Sequence, residues 1–147
     1  MPGNTVHRKK RRCTYTAKQK PDPIRNRSQS KRNLHTNEWK RSFYLRSFEV
    51  PEAVKNLLSR EKVPCEDIRY YLLHQANERI IRSAARRIGE DISKFPMNMD
   101  EYGNTSSASL LILLDEVKKS GKLQRGDKLI LAGFGGGLTY GASLIEY

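Results

Sequence analysis

Cysteine is scarce in this chain. Cys13 and Cys65 are the two present, far apart and in no redox or metal-ligand spacing. That excludes a disulfide framework and a cysteine-built metal site. No run of about 18 apolar residues occurs, which excludes a transmembrane helix. No apolar stretch follows the basic N-terminus, so a secretory signal is not expected, and a cytoplasmic setting is. Acidic residues are scarce in one region only. Residues 1–49 hold 3 Asp/Glu against 14 Lys/Arg, whereas residues 50–147 hold 13 against 14. The net charge of +12 therefore belongs almost wholly to the first third, and the remainder has the balance of an ordinary globular domain.

The same division appears in apolar patterning. From His7 to Lys40 the chain is dense in Lys, Arg, Asn, Gln, Ser and Thr and has few aliphatic side chains. Such a segment buries too little apolar surface to offset ordering its backbone, about 1–2 kcal/mol per residue. Residues 1–48 are therefore expected to be a disordered basic segment, and residues 49–147 a folded domain. In that domain Pro51 marks the first turn of a helix with Val54, Leu57 and Leu58 at helical spacing, and Pro64 ends it. Ile68–Leu73 reads as a buried strand. Asn77 caps a helix whose inner face is Ile80, Ile81, Ala84, Ala85 and Ile88, and Gly89 stops it. Lys94–Met99 reads as a short strand. A helix after Asn104 turns Ala108, Leu111, Leu114 and Val117 inward and ends at Gly121. Lys128–Ala132 and Thr139–Ile145 are strands around a turn at Gly133–Gly137. Helices alternating with strands, closed by a hairpin, predict an α/β fold with a mixed sheet covered by helices.

Three polar segments fall at the ends of these elements. They are His74-Gln75-Ala76-Asn77-Glu78-Arg79-Ile80, Tyr102-Gly103-Asn104-Thr105-Ser106-Ser107-Ala108-Ser109, and Gly133-Phe134-Gly135-Gly136-Gly137-Leu138-Thr139-Tyr140-Gly141. Taken singly, each has an ordinary structural reading: a strand-end histidine, a helix cap and a glycine turn. Their order, and the fit of each to its predicted element, carries more.

These three segments in this order resemble the C-terminal half of a β-ketoacyl-ACP synthase III, a thiolase-fold condensing enzyme. The resemblance runs from about Val50 to Tyr147. It implies an acyltransferase of fatty-acid biosynthesis that joins an acyl-CoA primer to malonyl-ACP with loss of carbon dioxide, using no cofactor. His74 and Asn104 match the catalytic histidine and asparagine, two neutral donors to the thioester carbonyl on which enolate charge develops. Gly136 matches the backbone N–H of the oxyanion hole. Gln75, Ala76, Asn77, Glu78 and Arg79 match the segment associated with acyl carrier protein, and the Arg79 cation suits that acidic partner. The implied partners are acyl carrier protein, the N-terminal half of the synthase and a homodimer mate.

The resemblance stops upstream. The family's nucleophilic cysteine sits in a small-residue turn before a helix, and neither Cys13 nor Cys65 has that setting. The chain alone is thus expected to be inactive. Back-translation of Asn37-Glu38-Trp39-Lys40 in a shifted frame permits Met-Asn-Gly-Lys, a phrase of the sort that precedes the Val50 helix in the family. Residues 1–48 are on this reading out of frame. Two alternatives remain. One is a basic-armed nucleic-acid-binding module, although zinc ligands, helix-turn-helix and interleaved aromatics are missing. The other is a fragment of a related polyketide-type condensing enzyme with the same catalytic pair.

Overall fold

The structure, a computed structural model, describes residues 14–19, 34–136 and 139–147. The elements are β1 (Thr14–Gln19), α1 (Leu34–Glu61), β2 (Ile68–Leu73), α2 (Glu78–Ile88), α3 (Met99–Tyr102), α4 (Ala108–Lys119), β3 (Lys128–Phe134) and β4 (Thr139–Glu146). They build a mixed sheet in the order β1-β4-β3-β2, with β2 parallel to β3 and the other neighbours antiparallel.

Side chains alternate across β2, as a two-residue strand period requires. Tyr71 and Leu73 point to one face, where α1 and α2 cover them with Val50, Val54, Leu57, Leu58, Ile81 and Ala84. Tyr70 and Leu72 point to the other, where α4 supplies Leu113 and Val117. The α2 helix forms where expected. Asn77 accepts the Arg79 backbone N–H, the five expected inner residues are buried, and Gly89 ends the helix at φ +93°, a conformation open to glycine at little cost.

Four expectations differ from the structure. Pro51 lies inside α1 rather than in its first turn. The helix accepts a residue with no N–H to donate one turn back because Val50, Ala53 and Val54 are buried on both sides of it. Thr14–Gln19 and the first half of α1 fall within residues 1–48, and Thr14–Gln19 pairs with β4. Residues 1–13 and 20–33 of that segment lie outside the described residues. Lys94–Met99 is not a strand. Asp91 accepts the Ser93 N–H and tightens Ile92–Lys94 into a 3-10 turn, and α3 starts at Met99. Pro96 also removes a donor that a strand would need. Finally, α4 is rotated from its expected phase. Ser109, Leu113 and Val117 are buried while Leu111 is 67% exposed. Leu110 to Leu114 are all apolar, so the pattern offers no polar side to fix which face turns inward.

Candidate active site at the strand ends

Parallel strands end side by side, and loops leaving their C-terminal ends can present several groups to one spot. His74 follows β2 directly. Its backbone N–H donates to the Ala132 carbonyl at 2.9 Å, which extends the β2–β3 ladder by one bond. The imidazole is thereby set beside the end of β3. It meets the Phe134 ring edge-on at 5.1 Å between centroids, and its Nδ1 lies 2.8 Å from Ser109 Oγ at the start of α4.

Asn104 lies exposed in the loop between α3 and α4. Its Oδ1 accepts the Ser106 backbone N–H at 3.1 Å. That assigns Oδ1 as the acceptor and Nδ2, with two protons, as the donor of the amide. The Ser106 carbonyl in turn accepts the Ser109 hydroxyl at 2.8 Å. His74 and Asn104, thirty positions apart in sequence, are thus joined through Ser109 and Ser106. In the same loop Thr105 Oγ1 is buried with no hydrogen-bond partner among the described residues.

Gly136 is exposed in the turn after β3, at the same end of the sheet as His74. Among the described residues, no atom lies within 4 Å of where a Cβ would stand at that position. Gly137 and Leu138 lie outside the described residues. The turn is closed by the Gly135 N–H on the Thr139 carbonyl at 2.8 Å.

The segment after His74 divides into an inner and an outer part. Gln75 is fully buried. Its amide donates to the Leu73 carbonyl at 2.8 Å and accepts the Asn98 N–H at 3.2 Å. Gln75 therefore braces the loop from inside, and its side chain does not face a surface partner. Ala76 and Asn77 are half-buried, and Asn77 is occupied as the cap of α2. Glu78 and Arg79 are exposed and line an open groove with Asn77, Met97, Met99 and Asp100.

Sequence reasoning singled out the loop but not Ser109, Phe134 or Asn98 as site-shaping residues. Ser109 had one available signal, since a serine leading directly into the apolar run Leu110–Leu114 must find a polar partner if its face turns inward. Cys65 sits in the turn before β2, at the end of the strand opposite His74. A six-residue strand spans roughly 20 Å, which keeps that thiol out of reach of the imidazole. The Cys13 side chain lies outside the described residues.

Comparison with known proteins gives a consistent result. The sequence model of the family described as 3-oxoacyl-[acyl-carrier-protein (ACP)] synthase III C terminal matches residues 58–147. The chain is 53% identical over 95 residues to a β-ketoacyl-[acyl-carrier-protein] synthase III of Clostridium kluyveri, covering 65% of this chain and 29% of that protein. It is 41% identical over 125 residues to one of Clostridium botulinum, covering 85% of this chain and 38% of the relative. That last likeness is too long to begin at Val50 and reaches upstream of it. Among solved structures, the 3-oxoacyl-[acyl-carrier-protein] synthase III of Aquifex aeolicus superposes with a TM-score of 0.73 at 36% identity, covering 75% of this chain and 36% of that one. The chain spans about a third of the length of the relatives it matches.

Proposed function

Because the chain belongs to the 3-oxoacyl-[acyl-carrier-protein] synthase III family, we propose that it supplies one half of a site for decarboxylative condensation. The observation that carries this reading is the hydrogen-bonded path from His74 through Ser109 and Ser106 to Asn104. It orders two polar groups at the C-terminal ends of parallel strands.

In the proposed reaction the thioester carbonyl of malonyl-ACP lies against Asn104 Nδ2 and His74 Nε2. Breaking the carboxylate C–C bond releases carbon dioxide and moves its electron pair toward that carbonyl, giving an enolate. Donors held in place beforehand stabilise the oxygen, commonly by a few kcal/mol for each donor. The enolate carbon then attacks an acyl group carried by a cysteine, a new C–C bond forms, and the thiolate leaves. Gly136 N–H serves as the oxyanion donor for that second carbonyl. Arg79 and Glu78, on the exposed end of α2, meet the acyl carrier protein, and Gln75 shapes that surface from beneath. The cysteine comes from a complementary N-terminal half, and the chain by itself does not condense. No resident cofactor takes part. The family match favours this reading over a nucleic-acid module.

The test is coexpression with the N-terminal half of the Clostridium kluyveri relative. Acetyl-CoA and malonyl-ACP are supplied and the condensed product is measured. We expect no product from the chain alone, product from the complex, and its loss with His74→Ala or Asn104→Ala. A soluble complex with no condensing activity overturns the proposal. So does activity that survives both substitutions. The out-of-frame reading of residues 1–48 has its own test in the upstream nucleotide sequence. An open frame there encoding a cysteine turn supports it, and its absence overturns it.

A further inference from the structure

Positive backbone φ is confined to a few of the described residues. Lys62, Gly89 and Gly121 lie just past the ends of α1, α2 and α4, and Gly126 turns the chain before β3. The other two, Gly103 and Ser106, flank Asn104. Gly89 and Gly103 both follow a helix, yet their conformations differ. Gly89 sits at φ 93° and ψ 21°, a left-handed cap that asparagine also enters. Gly103 sits at φ 64° and ψ −156°, a region essentially closed to L side chains. Among the described residues no atom lies within 4 Å of where its Cβ would stand. The requirement for glycine at this position therefore comes from the backbone.

The loop is held at both ends. On the near side the Gly103 N–H donates to the Met99 carbonyl at 2.9 Å. The residue before α3, Asn98, is bonded to buried Gln75 and to Glu116 of α4. On the far side the Ser106 carbonyl accepts the Ser109 hydroxyl at 2.8 Å and the Ser109 backbone N–H at 3.2 Å. Gln75 and Ser109 are themselves joined, the Gln75 N–H donating to Ser109 Oγ at 3.2 Å. A strained conformation persists where its surroundings over-determine it. Between these anchors the Asn104 Oδ1 accepts the Ser106 N–H. We infer that Gly103 is a positioning residue for Asn104: its glycine-only conformation turns the chain so that the Asn104 carboxamide reaches the Ser106 N–H. A side chain at position 103 disfavours that conformation about fivefold to a hundredfold. The loop from Gly103 to Ser107 is largely exposed, so it can relax without taking the sheet with it. The catalytic meaning of this placement rests on the condensing site proposed above, whereas the placement itself does not.

The experiment is amide exchange by 15N NMR on the full chain, with Leu111→Lys introduced to limit self-association. Exchange of the Ser106 N–H reads the Asn104 contact. Exchange of the His74 backbone N–H, bonded to the Ala132 carbonyl at 2.9 Å, reads the sheet. Gly103→Ala should raise Ser106 exchange about fivefold or more. It should also move the Asn104 side-chain amide signals and leave the His74 N–H protected. D-alanine placed at position 103 by semisynthesis should restore both Ser106 and Asn104 readings. Reversing the sign of both angles brings them near polyproline II, about −75° and +145°, so a residue of that hand fits without strain. Gly89→Asn should leave Ser106 exchange as it is. Unchanged Ser106 exchange in Gly103→Ala overturns the inference. So does a D-alanine chain as loose at Ser106 as Gly103→Ala, because handedness is then not the cause. If Gly103→Ala fails to fold, or loosens the His74 N–H equally, the inference also fails, since Gly103 then serves the fold as a whole. A rise at Ser106 in Gly89→Asn overturns it too. No measurement of condensation enters, so failure of the proposed activity and failure of this inference are separable.

Discussion

The two faces of the sheet are covered unequally. On one, α1 and α2 bury Val50, Val54, Leu57, Leu58, Ile81, Ala84 and Ala85 against Tyr71, Leu73, Ile130 and Ala132. On the other, α4 buries Leu113 and Val117 against Leu72, with Leu110, Leu114 and Leu131 partly covered. One face is a finished core. The other is, among the described residues, a single apolar helix whose Leu111 stands 67% exposed. The candidate site lies where they meet, since His74 follows a β2 strand covered from both sides, while Ser109 and Asn104 come from the thinly covered α4 region. The chemistry is thus anchored on the rigid face and completed by the less constrained one.

The largest expected effect measures that inequality directly. Leu57 is fully buried in the thick face, and Leu57→Ala should cost about 2–5 kcal/mol, the range for deleting a core leucine. Leu113→Ala in the thin face should fall at the low end of that range, because a sparsely packed surround collapses more readily into the cavity. Urea unfolding of both variants checks the ranking. Equal costs would mean that the two faces are equally tight, and the comparison would fail.

The second effect isolates the tie between α4 and the rest. Asn98 Nδ2 donates to Glu116 Oε2 at 2.6 Å, while the Asn98 backbone N–H is held by Gln75. This pair fastens α4 to the loop before α3, which the buried Gln75 in turn holds. Glu116→Ala should cost about 1.5 kcal/mol, as for a hydrogen bond to a charged group. Hydrogen exchange should rise in α4 and leave α2 unchanged. If α1 and α2 loosen equally, the faces unfold as one unit and the distinction is geometric only.

Much of the thick face was legible in sequence, and little of the thin one. In α2 the spacing of Ile80, Ile81, Ala84, Ala85 and Ile88, set between charges and bounded by Asn77 and Gly89, leaves one possible inner face. Ile68–Leu73 was readable because its apolar run ends at clear turn signals. In α4 the five consecutive apolar residues satisfy every phase, so packing rather than pattern decides which turn inward. Pro51 misled for a related reason, since a local start signal was overridden by burial on either side of it. At the site, the order of motifs pointed to His74 and Asn104. The Ser109–Ser106 path was invisible because it depends on how the α4 start docks against the end of β2.

A third effect concerns pH and belongs to the thick face alone. Tyr71 is fully buried, stacks on Phe95 at 4.7 Å, and donates its hydroxyl to the Cys65 carbonyl at 3.1 Å. Burial, reinforced by the polar groups of Cys65 and by Glu90, pushes the phenol far above its ordinary value. A group raised on folding contributes stability that is fully present below its unfolded pKa, about 10 for tyrosine. That stability is lost as pH climbs beyond it. The chain should accordingly unfold in alkali from about pH 10 upward. Tyr71→Phe should flatten the profile there and cost about 1 kcal/mol at neutral pH through the lost hydrogen bond. Circular dichroism against pH reads both outcomes. If the alkaline loss persists unchanged in Tyr71→Phe, another group governs it.

The smallest effect on stability is expected at Leu111, and it says most about what the thin face is for. The side chain is 67% exposed and does not belong to the small cluster beneath α4. Leu111→Lys should therefore change unfolding free energy by no more than about 0.5 kcal/mol. Its neighbours Ala108 and Ile112 are exposed and half-buried, so the outer side of α4 presents a contiguous apolar strip. That strip is unfavourable in water and favourable against a second apolar surface. We expect the unsubstituted chain to self-associate in light scattering at concentrations where Leu111→Lys remains monodisperse. In the coexpression experiment the same substitution should weaken capture of the complementary half while leaving the fold of this one intact. Loss of stability comparable to that of Leu113→Ala would show that Leu111 is interior to the fold as it stands. A monodisperse unsubstituted chain would show that the strip is tolerated in water, and the unequal cover of the two faces would then be no reason to expect a partner.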